Sequence, residues 1–171
     1  MMSAIIISAY PACGKSTFFN KHSKYAENGK GKRKILDSDS SKFHWVYDEE
    51  GNKLPNPEFP TNYIQHIQEQ QKEQEIIFVL SHAEVRDALE AAGIDYALVY
   101  PNQDMKSDFM DRMKQRGNTD DFIKKQNKHW SKWVSDLDKV KGPKKKYKLT
   151  KTGHKYIESS LIEEIKCDFN K

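Results

Sequence analysis

Residues 8–19 read SAYPACGKSTFF, and the Gly14-Lys15-Ser16-Thr17 core of that stretch follows a β-branched run, Ile5-Ile6-Ile7. A glycine, a lysine and a hydroxyl residue in that order, between an apolar strand and a helix, can cradle a phosphate. The glycine lets the backbone approach the anion, and the helix start adds unpaired N–H groups and the positive end of its dipole. In that role Ala9, Pro11, Ala12, Cys13, Gly14, Lys15, Ser16 and Thr17 surround a nucleotide's phosphates. Lys15 then bridges the β- and γ-phosphates, and the Ser16 hydroxyl holds Mg²⁺. Ala9 stands where the GxxxxGK[ST] pattern has its first glycine, which is tolerable if its φ stays negative; Pro11 stiffens the turn. Cys13 needs no role beyond that of a small loop residue.

Two further groups have the chemistry to act on such a phosphate. In LDSDSSKF, Asp37 and Asp39 close the second apolar run. The carboxyl ends of parallel strands share a crevice, so these aspartates should face Lys15. Either can accept a proton from an attacking hydroxyl, and Asp37 can also hold Mg²⁺; an Asx turn is the competing use. In FMDRMKQRGN, Arg112 and Arg116 lie four apart, on one helix face, where guanidinium groups suit a transferring phosphoryl group. Pairing within that helix, Arg112 with Asp108 or Gln115, is the alternative. Around an acceptor the candidates are Asp39, Lys42, Trp45, Tyr47, His82 and Arg86. Trp45 and Tyr47 can stack on a base. His82 either touches substrate or caps a helix, and Arg86 either reaches an acceptor phosphate or pairs with Glu90.

The elements that must position these groups alternate in type. Strand-like runs fall at 4–8, 35–36, 76–80, 96–100 and around 147–149. Helical patterns fall at 16–22, 60–74, 83–92, 105–115, from a cap at Asn118 or Thr119 through Leu137, and at 156–166. Such alternation predicts crossover units, hence an α/β three-layer sandwich with a central five-stranded parallel sheet. WVYDEEGNKLPNPEF, Trp45 to Phe59, breaks the pattern as a long loop or small hairpin, and the insertion spans about 44–60.

With 171 residues, one domain over 1–171 is expected. Two cysteines give no disulfide framework, and no apolar run approaches a membrane span or signal peptide, so a cytoplasmic setting is expected. The formal net charge is +4, concentrated in Lys30–Lys34 and in the run containing Lys144, Lys145 and Lys146. Such runs can track a nucleic-acid backbone or be solvated loops.

AYPACGKSTFF, ILDSDSSKF and DRMKQRGN, in that order, resemble the small P-loop kinases, and within them the kinase domain of phage polynucleotide kinases. That family carries a GxPxxGKST loop, an aspartate after the second strand and an RxxxRG lid helix. Pro11, Gly14, Lys15, Ser16 and Thr17 match the loop, and Arg112, Arg116 and Gly117 match the lid. The resemblance implies the P-loop nucleoside triphosphate hydrolase fold, ATP and Mg²⁺ as cofactors, Asp37 or Asp39 as general base, and lid helices over about 105–137. One departure stands out: where the family often has an aspartate after the third strand, this chain has Ser81 and His82.

The expected activity is ATP-dependent transfer of a γ-phosphate to a hydroxyl of a nucleoside, a nucleotide or a nucleic-acid end. A nucleoside monophosphate kinase is less favoured, because residues 40–75 contain no arginine to hold an acceptor phosphate. A third reading, from another class, is an ATP-binding switch without kinase activity. No NKxD-like stretch points to guanine.

Overall fold

Strand β1, Ile5–Ala9, is β-branched at three successive positions and buried from Ile6 onward, which requires cover on both faces. It lies at the middle of a parallel sheet built with β2 (Ile35–Asp37), β5 (Ile76–Leu80), β6 (Tyr96–Pro101) and β7 (Lys145–Leu149). The order is β2-β5-β1-β6-β7, with Ala9 level with Leu80 and Val99. The computed structural model describes residues 3–170, so Met1, Met2 and Lys171 of the expected 1–171 unit lie outside the described residues.

Helices flank this sheet, giving an α/β architecture. Right-handed crossovers send α1 (Lys15–His22) over one face toward the edge strand β2. The same rule sends α3 (Thr61–Gln71), α4 (Ala83–Ala91), α5 (Lys106–Gln115) and α6 (Asp120–Lys139) over the other. The last strand shows both layers at once. Lys145 and Tyr147 reach Asp168 in α7 (Ser159–Phe169), whereas Lys146 and Lys148 reach Asp138 in α6. Side chains alternate along a strand, so α6 and α7 lie on opposite faces.

The insertion is a hairpin. After the short helix α2 (Ser41–His44), β3 (Trp45–Tyr47) pairs antiparallel with β4 (Lys53–Pro55). Asp48 closes the turn by accepting from the N–H groups of Glu50 and Asn52, and Gly51 supplies φ 85°.

Several expected boundaries move. The first strand is shifted one residue, to end at Ala9, and a 3₁₀ turn over Gln103–Met105 precedes α5 in place of one continuous helix. The final helix starts at Ser159 rather than at Tyr156. Tyr156 and Ile157 belong instead to the preceding loop, held there because the Ile157 N–H donates to the Cys13 carbonyl at 2.7 Å. Among the described residues no helix is long and apolar enough to cross a membrane.

Trp130 in α6 locks this helix to α5 and to the loop after β1. It is fully buried, meets Phe109 and Tyr10 edge-on or tilted, and donates from Nε1 to the Gln103 carbonyl at 3.1 Å. Replacing it with alanine should cost about 3–5 kcal/mol, the range for a large buried aromatic. Urea unfolding measures this, and an unchanged midpoint would contradict the packing.

Candidate active site at the carboxyl ends of the strands

The loop from β1 to α1 turns sharply because two residues take left-handed backbone. Ala12 has φ 68° and Gly14 has φ 94°. Ala9 is not among the positive-φ residues, which is why an alanine serves there. Gly14 caps α1 without a side chain, and none of the N–H groups of Ala12, Cys13, Gly14, Lys15, Ser16 and Thr17 donates to a protein acceptor among the described residues. Six unpaired donors and the positive end of α1 together favour an anion.

A cleft of about 320 Å³ opens over this turn. Its walls include Pro11, Gly14, Lys15, Ser16 and Thr17 below, Arg112 from α5 and Arg116 from that helix's C-terminal cap, and Tyr156 from the loop before α7. The lining contains three cationic side chains and no carboxylate. Lys15 Nζ does reach one at the rim, Asp37 Oδ1 at 2.9 Å, with both side chains about one-fifth exposed. Ala9 and Cys13 lie beneath the cleft, fully buried. Burial pushes the Cys13 thiol up to about 12, against the pull of Arg112 and Lys15, so it stays a neutral packing group.

The two arginines are held differently. Arg112 donates to the Ala12 carbonyl at 3.1 Å and the Lys155 carbonyl at 2.9 Å. Its guanidinium lies 3.8 Å from the centre of the Tyr156 ring and 4.4 Å from that of Phe109. Both bonds go to other segments, and pairing with Asp108 or Gln115 is not how it is used. Arg112 therefore fastens α5, the β1–α1 loop and the 150–158 loop to one another. Arg116, one turn on, is exposed at the cleft.

Asp37 and Asp39 sit at the end of β2 as their position demands. Tyr63 in α3 fixes the turn between them by donating to the Ser38 carbonyl at 2.9 Å. Asp39 accepts from the Ser41 N–H at 2.9 Å, the Asx-turn geometry, and is exposed. Burial pushes its carboxyl up, but the Ser41 hydrogen bonds and the charges of Lys15 and Lys42 outweigh this and leave it below the usual range.

The remaining candidates do not line the cleft. Lys42 is exposed on α2. Trp45 is covered by Lys53 Nζ, 4.2 Å from its ring centre, and by His44, while Tyr47 projects at 68% exposure. His82 begins α4 without a side-chain cap, and partial loss of water together with the His44 charge lowers its imidazole. Arg86 is buried and donates to the Ser81 carbonyl at 2.9 Å, so it braces the end of β5. Glu90, its expected helical partner, accepts from Tyr96.

Tyr156 is the site residue that the sequence pattern misplaces. Its contact with Gly14 spans more than 140 positions, and no local spacing announces it. The loop carrying it is tied to α7 through His154, whose Nδ1 lies 2.8 Å from Glu158 and Nε2 3.2 Å from Glu164. No protein-family model matches the chain, and no curated protein sequence is significantly similar to it.

Two outcomes are expected. A β-carbon at Gly14 would lie 3.2 Å from the Tyr156 Cβ and 3.4 Å from the Ile157 nitrogen. With left-handed strain of about 1–2 kcal/mol added, Gly14→Ala should lower thermal stability and shift Tyr156 fluorescence. The Glu158 hydrogen bond foremost, with that of Glu164, raises the His154 imidazole above its ordinary value. The stability from this latch is then complete below the unfolded imidazole value and is lost as pH rises through the raised one. The melting-temperature gap between wild type and His154→Gln should shrink from mildly acidic to mildly alkaline pH. A constant gap would exclude the latch.

Proposed function

We propose that the chain is an ATP- and Mg²⁺-dependent phosphotransferase of the P-loop kinase type, acting on a hydroxyl of a nucleoside, a nucleotide or a nucleic-acid end. The observation that carries this reading is the convergence of six unpaired backbone N–H groups with Lys15, Ser16 and Arg116 in one cleft that has no carboxylate in its lining. A triphosphate fits that donor set. The loop N–H groups and Lys15 hold its β- and γ-phosphates, and Arg116 supplies positive charge where the transferring group becomes more anionic.

Among the described residues no three His, Cys, Asp or Glu side chains cluster to hold a metal ion. Ser16 would ligate Mg²⁺, which takes few protein ligands and keeps phosphate oxygens and water, and Asp37 would reach the ion only through one of those waters. Bound there, the ion would neutralise phosphate charge.

Asp37 is favoured over Asp39 as general base. Among the described residues only its Oδ1 has a partner, Lys15, whereas Asp39 is spent on an Asx turn. The acceptor oxygen bonds the γ-phosphorus as the bridge to the β-phosphate breaks. Asp37 takes the hydroxyl proton, and ADP leaves with the bridging oxygen.

The test is transfer of labelled γ-phosphate from ATP to nucleosides, nucleoside monophosphates and 5′-hydroxyl oligonucleotides offered side by side. Lys15→Ala should abolish transfer with the fold intact. Asp37→Asn should retain ATP binding and lose about 10²–10⁴-fold in turnover, while Asp39→Asn loses far less. ATP binding with no phosphorylated product from any acceptor would overturn the kinase reading in favour of a nucleotide-binding module. Transfer only to monophosphates would move the acceptor from hydroxyl to phosphate.

A further inference from the structure

Away from the cleft, the bend between α6 and β7 gathers the second basic run into one open groove. The groove has a volume of about 640 Å³ and is lined by Lys139, Lys141, Lys144, Lys145 and Lys146, with Asp138 as its one acid. Its charge is not cancelled from within. Asp138 is taken up by Lys148 at 2.9 Å and by the Tyr100 hydroxyl at 2.6 Å. Lys146 donates to the carbonyls of Leu137 and Asp138, so the negative end of α6 is neutralised where it meets the groove. Lys145 is held by Asp168 at 2.6 Å.

These contacts brace the lysines of β7 from both faces of the strand and leave the upper wall differently disposed. Lys139 and Lys141 have no carboxylate partner among the described residues, and Lys144 lies over the Phe169 ring with its ammonium 4.9 Å from the centre. All three lysines are exposed. A concave strip of unpaired cations beside a braced strand complements a narrow polyanion with regularly spaced phosphates.

From this arrangement we infer that the groove is a nucleic-acid-backbone site, which holds a single strand through phosphate contacts from Lys139, Lys141 and Lys144. It is separate from the cleft: the groove lysines sit at the end of α6, in the bend that follows and at the start of the edge strand β7, two strands from β1, and none of them lines the phosphate site. In the Lys30–Lys34 run, Arg33 is spent on Glu75 at 2.6 Å. The inference stands without the phosphotransfer reading.

The experiment is fluorescence anisotropy of a labelled single-stranded oligothymidylate over a range of salt concentrations. Binding should weaken linearly with the logarithm of salt, because each neutralised phosphate releases counterion, with a slope of about 0.7 per contact on single strands. The Lys139→Gln/Lys141→Gln/Lys144→Gln variant should fold as the wild type does by circular dichroism, and its slope should fall by about 2. Lys15→Ala should bind the oligonucleotide as the wild type does, so loss of phosphate transfer and loss of this site are read apart. No oligonucleotide binding by the wild type would overturn the inference. So would an unchanged slope in the triple variant, or equal binding of polyglutamate or of phosphatidylserine vesicles.

Discussion

The left-handed backbone at Gly14 is the constraint on which the site depends. With φ 94° the chain leaves β1, reverses within a few residues and enters α1 with that helix's amino end facing the carboxyl ends of the strands. The same geometry leaves tight quarters for a side chain, with Tyr156 3.2 Å from where a β-carbon would sit. A β-carbon would meet Tyr156 and the Ile157 nitrogen, so the glycine is required both by its own torsion and by what packs on it. The loop N–H groups stay unpaired because the turn spends its hydrogen bonding elsewhere: the Tyr10 N–H goes to Val99, and the Cys13 carbonyl accepts from Ile157.

Charge in the cleft is balanced by segmentation. Lys15 leans on Asp37 from β2, and Arg112 leans on two carbonyls and two aromatic rings. Arg116 alone is exposed at the cleft with no such anchoring bonds among the described residues. A guanidinium fixed by carbonyls and stacked on rings positions the chain around it, whereas an unanchored one is available to an incoming anion. Two arginines four apart, one within α5 and one at its C-terminal cap, thus do different work, because only Arg112 bonds the 150–158 loop among the described residues.

The β2–α2 turn shows how the sheet controls carboxylates. Ser38 is anchored through its N–H to Phe78 and through its carbonyl to Tyr63. Residues on either side of a pinned position diverge, so Asp37 stays with Lys15 while Asp39 bends back to the start of α2. The hairpin beyond carries Tyr47 outward and keeps Trp45 beneath Lys53, so its aromatics are not equivalent surfaces.

Local patterns in the sequence determined the sheet and the turn. Unbroken apolar runs such as Ile5-Ile6-Ile7 and Ile76–Leu80 require cover on both faces, and strands of that kind alternating with helical periodicity require parallel pairing. The Gly14-Lys15-Ser16 order dictated an αL turn into a helix start because glycine's torsional freedom and the unpaired helix N–H groups are properties of adjacent residues. Asp37, Asp39, Arg112 and Arg116 were legible as charges at the ends of elements. Their assignments were not, since a hydrogen-bond partner tens of residues away leaves no trace in spacing. Only the tertiary structure decided that Tyr156 belongs to the cleft rather than to a helix, that Arg112 binds the Ala12 and Lys155 carbonyls, and that Arg86 turns inward to Ser81. Each of these depends on which surfaces the crossovers bring together, and no window of neighbouring residues contains that information.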